Sequence, residues 1–218
     1  CYGQTECSPV CTMSRVHDSI ELRVSTVGCP LPNVEIKVVS TNTGEMLPVG
    51  EIGELCVRGF LVMKGYDADP EATAAAVDSD GWLHTGDLAI MQPSGYFRMR
   101  GRAKETIIRG GENIYPREVE EYLMTNPKVA DVYVVGLPDE RLGETVCAWI
   151  RLKPGVTATE DEIRNCCRGT IADFKVPQYV RFVDNFPLTV TGKIQKFMIR
   201  DYEIRERGLE KAANIATA

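Results

Sequence analysis

A mixed α+β fold in two successive parts is what this sequence predicts, on three observations. The 218 residues are 44% hydrophobic and 26% charged, a balance that suits one or two ordinary globular domains. Up to about residue 102 the apolar runs are short and cornered by glycine, the texture of a small distorted β-barrel or sheet. Beyond Arg102 the segments lengthen and alternate between helical and strand patterns, so a boundary is expected near Lys104, dividing the chain into 1–102 and 103–218.

The elements follow in order. Residues 1–33 are loop-rich, with Gly3, Pro9, Gly28, Pro30 and Pro32. Val34–Ser40 alternates as a strand, Thr41–Met46 turns on Asn42 and Gly44, and Glu54–Arg58 is a second strand between Gly53 and Gly59. Asp69 caps a short helix from Pro70 to Val77, with proline at the first helical position, where its missing N–H costs nothing. Gly81–Asp87 (GWLHTGD) reads as a polar turn, and Leu88–Met91 with Tyr96–Arg100 as a hairpin around Pro93–Gly95. Ile107 and Ile108 open a buried strand, Gly110–Gly111 a turn, and Pro116–Asn126 a helix with acids near its positive end. Strands Val129–Val135 and Thr145–Leu152, helix Thr159–Ile171 with a Thr159/Glu162 capping box, strand Tyr179–Val183 and a helix from about Lys196 complete the chain. The charges of that last helix read as a solvated face.

A net charge of -6 argues against nucleic acid and against an anionic membrane surface, and no apolar run reaches the roughly 18 residues of a membrane span. The eight cysteines are irregularly spaced without a CxxC pair, and His17 and His84 are the only histidines. Reduced thiols acting as small hydrophobes in an intracellular protein fit better than a zinc site. The chain opens on Cys1-Tyr2-Gly3 with no initiator Met and no targeting pattern, so it is expected to be the downstream part of a longer protein.

Five stretches concentrate polar residues where a plain core would not need them: Tyr2–Glu6 (YGQTE), Thr85–Asp87 (TGD), Gly101–Lys104 (GRAK), Gly110–Asn113 (GGEN) and Thr191–Lys193 (TGK). The last is not a Walker loop, because Pro187 stands where the first glycine belongs and Ile194 where the Mg²⁺-binding hydroxyl belongs. Taken singly, each has a plainer meaning: a core tyrosine at Tyr2, a turn-capping Asp87, a surface ion pair at Arg102, a solvated Lys193.

In this order and spacing the five stretches resemble the adenylate-forming superfamily of acyl-CoA synthetases, aryl-CoA ligases, luciferases and peptide-synthetase adenylation domains, over essentially the whole chain from Tyr2 to about Arg200. Within it, GGENIYPREVEEYL, VVGLPDERLGE and FPLTVTGKIQK look most like medium-chain and related fatty acyl-CoA ligases. The resemblance implies the end of a large N-terminal domain followed by a compact, mobile C-terminal α+β domain. It implies fatty acid, ATP, Mg²⁺ and coenzyme A as small-molecule partners, and the mitochondrial matrix as compartment. It gives Tyr2, Gly3, Gln4, Thr5, Asp87, Arg102 and Lys193 to the nucleotide, with Tyr2 against adenine, Thr5 toward the α-phosphate and Asp87 on the ribose hydroxyls. Glu6 goes to Mg²⁺, and Lys193 with Thr5 and Glu6 to catalysis. Gly110, Gly111, Glu112, Asn113, Phe174 and Lys175 go to CoA, and Lys104 is the hinge. Val176 and Gln178 depart from relatives that carry basic residues there for the CoA phosphates. The family's phosphate-binding loop would lie upstream, so the 218 residues alone are expected not to adenylate. A non-catalytic nucleotide- or partner-binding module, and a superfamily member with another acyl acceptor, stay open beside the ligase.

Overall fold

The computed structural model describes residues 1–215, which fold as two compact units, Cys1–Lys104 and Glu105 onward.

The first unit begins with a 3-10 turn (Thr5–Cys7), β1 (Thr12–Met13), α1 (Ile20–Ser25) and β2 (Cys29–Pro30). Its centre is an antiparallel sheet of β3 (Val34–Val39), β4 (Ile52–Gly59), β5 (Leu83–Met91) and β6 (Phe97–Arg102), hydrogen-bonded in that order, with α2 (Pro70–Ala76) inserted before β5. Alternation of side chains sends Val34, Val38, Leu55, Val57, Leu83, Ala89 and Phe97 into one buried cluster with Cys7 and Cys11. The expected barrel is an open sheet: β3 and β6 are its two ends and do not pair with each other. Asp69 caps α2 by accepting from the Ala72 N–H at 2.9 Å.

Gly81–Asp87 departs from the expected turn, since β5 begins at Leu83. The segment looks turn-like because its inward and outward positions carry polar groups, each of which finds a partner in the sheet. Thr85 Oγ1 donates to the Leu55 carbonyl at 2.6 Å, and His84 meets Glu54 at 2.9 Å.

In the second unit β7 (Ile107–Arg109) and β8 (Glu112–Ile114) form a hairpin whose two-residue turn is Gly110–Gly111. Both glycines have positive φ, +59° and +89°, which a tight hairpin turn of this hand requires and which residues with a Cβ resist. Then come α3 (Pro116–Leu123), β9 (Val129–Asp139), β10 (Gly143–Leu152), α4 (Glu160–Cys167), a 3-10 turn (Asp173–Lys175), β11 (Tyr179–Phe182), α5 (Lys196–Glu206) and α6 (Glu210–Ile215). β10 pairs antiparallel with β9 along its length, parallel with β11 over Cys147–Ile150, and with β7 at Gly143–Arg109. Both sheet faces are apolar, so both are covered. Val132, Val134, Val146, Ala148 and Ile150 pack with Val119 and Leu123 of α3 and Ile163 and Cys167 of α4, while Val135, Leu137, Cys147 and Trp149 pack with Ile199 and Ile204 of α5.

β9 and β10 run four and two residues beyond the expected Val135 and Thr145 ends. The pairing continues through Leu137–Thr145 and Pro138–Glu144, and Pro138 lies on a strand that pairs with β10 alone, an edge position where proline is tolerated. α4 stops at Cys167 rather than Ile171. Gly169 takes φ +74°, and the Thr170 and Ile171 N–H groups fold back onto the Cys167 carbonyl. The capping box is present, with Thr159 and Glu162 exchanging 3.2 Å bonds. The charges of α5 are only in part a solvated face: Asp201, Arg205 and Glu206 are exposed, but others are engaged. Lys196 bridges Glu105 and Glu120 at 3.0 and 2.8 Å, and Glu203 is wholly buried.

Candidate functional site

In the first unit three expected residues meet around one carboxylate. Asp87, nearly buried on β5, accepts from the Tyr2 hydroxyl through Oδ2 at 2.6 Å and faces Arg102 Nε through Oδ1 at 3.2 Å. β5 and β6 create the second contact, because Asp87 and Arg102 are register partners. Tyr2 is delivered by its backbone, which exchanges hydrogen bonds with Thr12 at 3.1 Å in both directions. Burial first, and then donation to Asp87, pushes the Tyr2 phenol far above its ordinary range, so it stays a neutral donor. A carboxylate has about four lone-pair positions, which leaves Asp87 room for further donors.

Gly3 has a packing reason rather than a flexible one. A Cβ there would lie 1.8 Å from the Pro9 carbonyl oxygen and 2.6 Å from Val10 Cα. This close approach of backbone to backbone bends the chain so that Gln4 starts the 3-10 turn carrying Thr5 and Glu6. Thr5 is exposed. Glu6 is half-buried and accepts from the Tyr66 hydroxyl at 3.0 Å through Oε1, with the Met63 N–H fixing its carbonyl at 2.9 Å. Motif reading did not single out Tyr66. The signal was available only as an aromatic residue sixty positions from its partner.

In the second unit the two stretches expected at CoA are joined. Arg109, one residue before the glycine turn, donates to the Phe174 carbonyl at 2.7 Å, and Lys175 is tied to Glu118 of α3 at 2.6 Å. Gly110, Gly111, Glu112 and Asn113 are all exposed at the hairpin tip. Beside Phe174 and Lys175 lies an open pocket of about 560 Å³ lined by Arg109, Arg164, Arg168, Asp173, Val176, Pro177 and Gln178. Arg164 is already paired with Glu160 and Asp161, at 2.5 and 2.9 Å, so Arg109 and Arg168 are the cations that make it a place for an anion. Sequence reading missed Arg164 and Arg168, which sit on and just after α4 and are adjacent to Arg109 only in the fold.

Lys193 stands exposed on a second hairpin, whose turn is held by Thr189 N–H to Lys193 O (2.8 Å), Gly192 N–H to Thr189 O (2.9 Å) and Lys193 N–H to Thr189 Oγ1 (3.0 Å). Among the described residues Lys193 makes no ion pair, so its charge is free for a ligand. Lys104, also exposed, is in the 3-10 turn Ala103–Glu105 and is the last residue of the first unit.

Comparison with known proteins bears on these clusters. The family model of AMP-binding enzymes matches residues 1–67, and that of the AMP-binding enzyme C-terminal domain matches residues 118–193. YngI of Bacillus subtilis (strain 168), provisionally named an acyl-CoA synthetase, is 52% identical over 203 residues, 93% of this chain and 37% of the relative. The mitochondrial medium-chain acyl-CoA ligase ACSF2 of Bos taurus is 48% identical over 200 residues, 92% of this chain and 32% of the relative. The chain therefore spans roughly a third of the length of the curated relatives it matches. The crystal structure of ATP-bound MatB from Rhodopseudomonas palustris matches with a TM-score of 0.87 at 37% identity, over 92% of this chain and 39% of that one. The o-succinylbenzoate CoA synthetase MenE of Bacillus subtilis, bound to its acyl-adenylate intermediate, matches at 0.81 and 32% identity, over 91% and 40%.

Proposed function

The chain belongs to the AMP-binding enzyme family, and we propose that it supplies the downstream part of an ATP-dependent fatty acid–CoA ligase acting on medium-chain acids. Residues 1–102 would close the AMP-binding domain and residues 103–218 would form the mobile C-terminal domain. In the first half-reaction a carboxylate oxygen of the acid attacks the α-phosphorus of ATP and pyrophosphate departs. In the second, the CoA thiol attacks the acyl carbonyl, forming the thioester, and AMP departs. A free carboxylate is a poor electrophile, and adenylation gives its carbonyl carbon a good leaving group.

The observation that carries this reading is the Tyr2–Asp87–Arg102 cluster, set in a chain of this family. Asp87, acceptor-only and already oriented by two donors, takes the ribose hydroxyls, and Arg102 remains charged at any relevant pH to meet the adenylate. Tyr2 offers a ring for adenine and Thr5 a hydroxyl for the α-phosphate. Gly3 and Gln4 shape the turn that presents them. Glu6 fits Mg²⁺, since Mg²⁺ takes one or two protein carboxylates beside phosphates and water, and one Glu6 oxygen is uncommitted among the described residues. The ion when bound offsets repulsion between two anionic reactants. Lys193 aims a cation at the negative charge that develops on the α-phosphate and carboxylate oxygens.

For CoA, Gly110–Asn113 would border the pantetheine arm, with Phe174 and Lys175 beside the nucleotide. The pocket's Arg109 and Arg168 support the phosphate end and offer the cations that Val176 and Gln178 do not. Lys104 would be the hinge whose φ/ψ change turns the C-terminal domain between half-reactions. The mitochondrial matrix is the compartment this function implies, by analogy with the bovine ligase.

The test uses the whole protein that contains this chain. With ATP and octanoate it should release pyrophosphate, and with CoA added it should form octanoyl-CoA. K193A should slow pyrophosphate release by about 100-fold or more, the cost of removing one preorganised donor from a developing anion. No pyrophosphate release with any straight-chain fatty acid, short to long, would overturn the ligase reading.

A further inference from the structure

The sheet of the first unit carries a second constellation, separate from Tyr2, Asp87 and Arg102. Glu54 and Cys56 are alternate residues of β4, so both point to one face, and Cys56 is the register partner of His84 on β5. The ladder is irregular between Glu54 and Cys56, where β5 places three residues, Thr85–Asp87, against one on β4, Leu55. Such a bulge re-aims side chains. Here it carries the Glu54 carboxylate over the imidazole and frees the Gly86 N–H from the ladder.

The resulting geometry is close. His84 Nδ1 lies 3.5 Å from Cys56 Sγ and 2.9 Å from Glu54 Oε2, and one donor atom from each of the three residues falls within 4.8 Å of the others. A tetrahedral zinc ion with bonds of about 2.3 Å to sulfur and about 2.05 Å to nitrogen and oxygen places its ligands about 3.6 Å (S···N) and about 3.3 Å (N···O) apart. The observed spacings need shifts of only a few tenths of an ångström at the two contacts to His84.

The surroundings are those of a ligand set. Metal-binding histidines pass their other ring nitrogen to a carboxylate, and His84 Nε2 faces Asp78 Oδ2 at 3.7 Å. Ligating carboxylates are themselves held, and Glu54 Oε1 accepts from the Gly86 N–H at 2.9 Å. Cys56 is fully buried while a third of His84 is exposed, so a fourth position opens to water. The nearest cations on this face, Lys37 and Arg58, are drawn onto the Trp82 ring at 4.3 and 4.4 Å, and Arg58 is also paired to Glu35.

We propose that Glu54, Cys56 and His84 bind a thiophilic divalent cation of the zinc type, with Asp78 as the residue that positions His84. The Mg²⁺ proposed at Glu6 is hard and oxygen-seeking, whereas a thiolate–imidazole–carboxylate set selects Zn²⁺ or Co²⁺. Binding replaces the thiol proton with a metal–sulfur bond and releases that proton to solvent, and no redox change is involved.

The test is Co²⁺ titration of the reduced, metal-free 218-residue chain, read by thiolate-to-cobalt charge-transfer absorption in the near ultraviolet. The band should saturate at one equivalent and vanish on adding one equivalent of Zn²⁺. It should be lost in C56A and in H84A, and persist in a C166A/C167A variant. D78N, which keeps all three ligands, should weaken binding about ten-fold or more. Absence of the band in the unsubstituted chain would overturn the proposal, and so would an undiminished band in C56A. If C56A does not fold, E54Q decides in its place, since it leaves the thiol intact, and unchanged affinity in E54Q would count equally against the site.

Discussion

Replacing Glu203 by Gln tests how the second unit holds α5 to its sheet. The Glu203 side chain has no exposed surface and accepts from Trp149 Nε1 at 2.7 Å, from Arg207 Nε at 2.6 Å and from Arg181 Nε. Glutamine keeps the shape but loses the charge, and its NH₂ would point a donor at one of three donors. Breaking a buried ion pair by removing one partner costs about 3–5 kcal/mol. Arg181 and Arg207 are 30% and 28% exposed and can partly rehydrate, so the lower end, about 3 kcal/mol, is expected. For a unit of this size that is a fall in Tm of about 12 °C or more. Trp149 reports directly on the contact, and a W82F background removes the other tryptophan of the chain. Burial alone would raise the Glu203 carboxyl, but donation by Arg181, Trp149 and Arg207 outweighs it and holds the group below its ordinary value. A depressed folded-state pKa gives stability that is fully present above the unfolded value of about 4.3 and is lost as pH falls below it. The difference between the two proteins should therefore be full at pH 7 and shrink from about pH 5 downward. A loss under about 1 kcal/mol at pH 7, or one independent of pH down to 3, would refute the reasoning.

Three further outcomes are expected. Lys104→Pro in the whole protein fixes φ at the proposed hinge and should impair thioester formation more than adenylation, read as octanoyl-CoA yield against pyrophosphate release; equal losses would remove the hinge from this residue. Arg168→Gln removes one cation from the arginine pocket and should raise KM for CoA about ten-fold while leaving pyrophosphate release unchanged, the worth of one charge-assisted hydrogen bond. Gly3→Ala sets a methyl against two backbone atoms that cannot yield, so it should destabilise the first unit by about 2 kcal/mol in urea unfolding and abolish adenylation, whereas a silent substitution would mean the turn is not held by that approach.

How much was legible in the sequence depended on how local each signal was. The Asp69–Pro70 helix start, the Thr159/Glu162 capping box and the Gly110–Gly111 turn are decided within four residues, so their chemistry identifies them directly. The five polar stretches identify the family by their order and spacing along the chain, which need no knowledge of the fold. Leu83–Asp87 was hidden because its strand positions carry Thr, His and Asp, whose partners Leu55, Glu54 and Tyr2 lie on other segments. The α5 charges misled similarly: nothing near Glu203 in sequence shows that Trp149 and Arg181 will enclose it.

The sequence by itself determined the elements with strong local signals, the change of texture near Lys104 and the identity of the family, because propensity and capping are properties of adjacent residues and motif order can be read directly along the chain. Only the tertiary structure decided which polar residues meet. Tyr2 is 85 positions from Asp87, Arg109 is 65 from Phe174, and His84 is 28 from Cys56. The His84–Cys56 contact follows from strand register and a bulge in β5, and the other two from how distant segments pack, which no local pattern encodes. The cluster of Glu54, Cys56 and His84 is the same case, since two adjacent strands bring together what the sequence keeps apart.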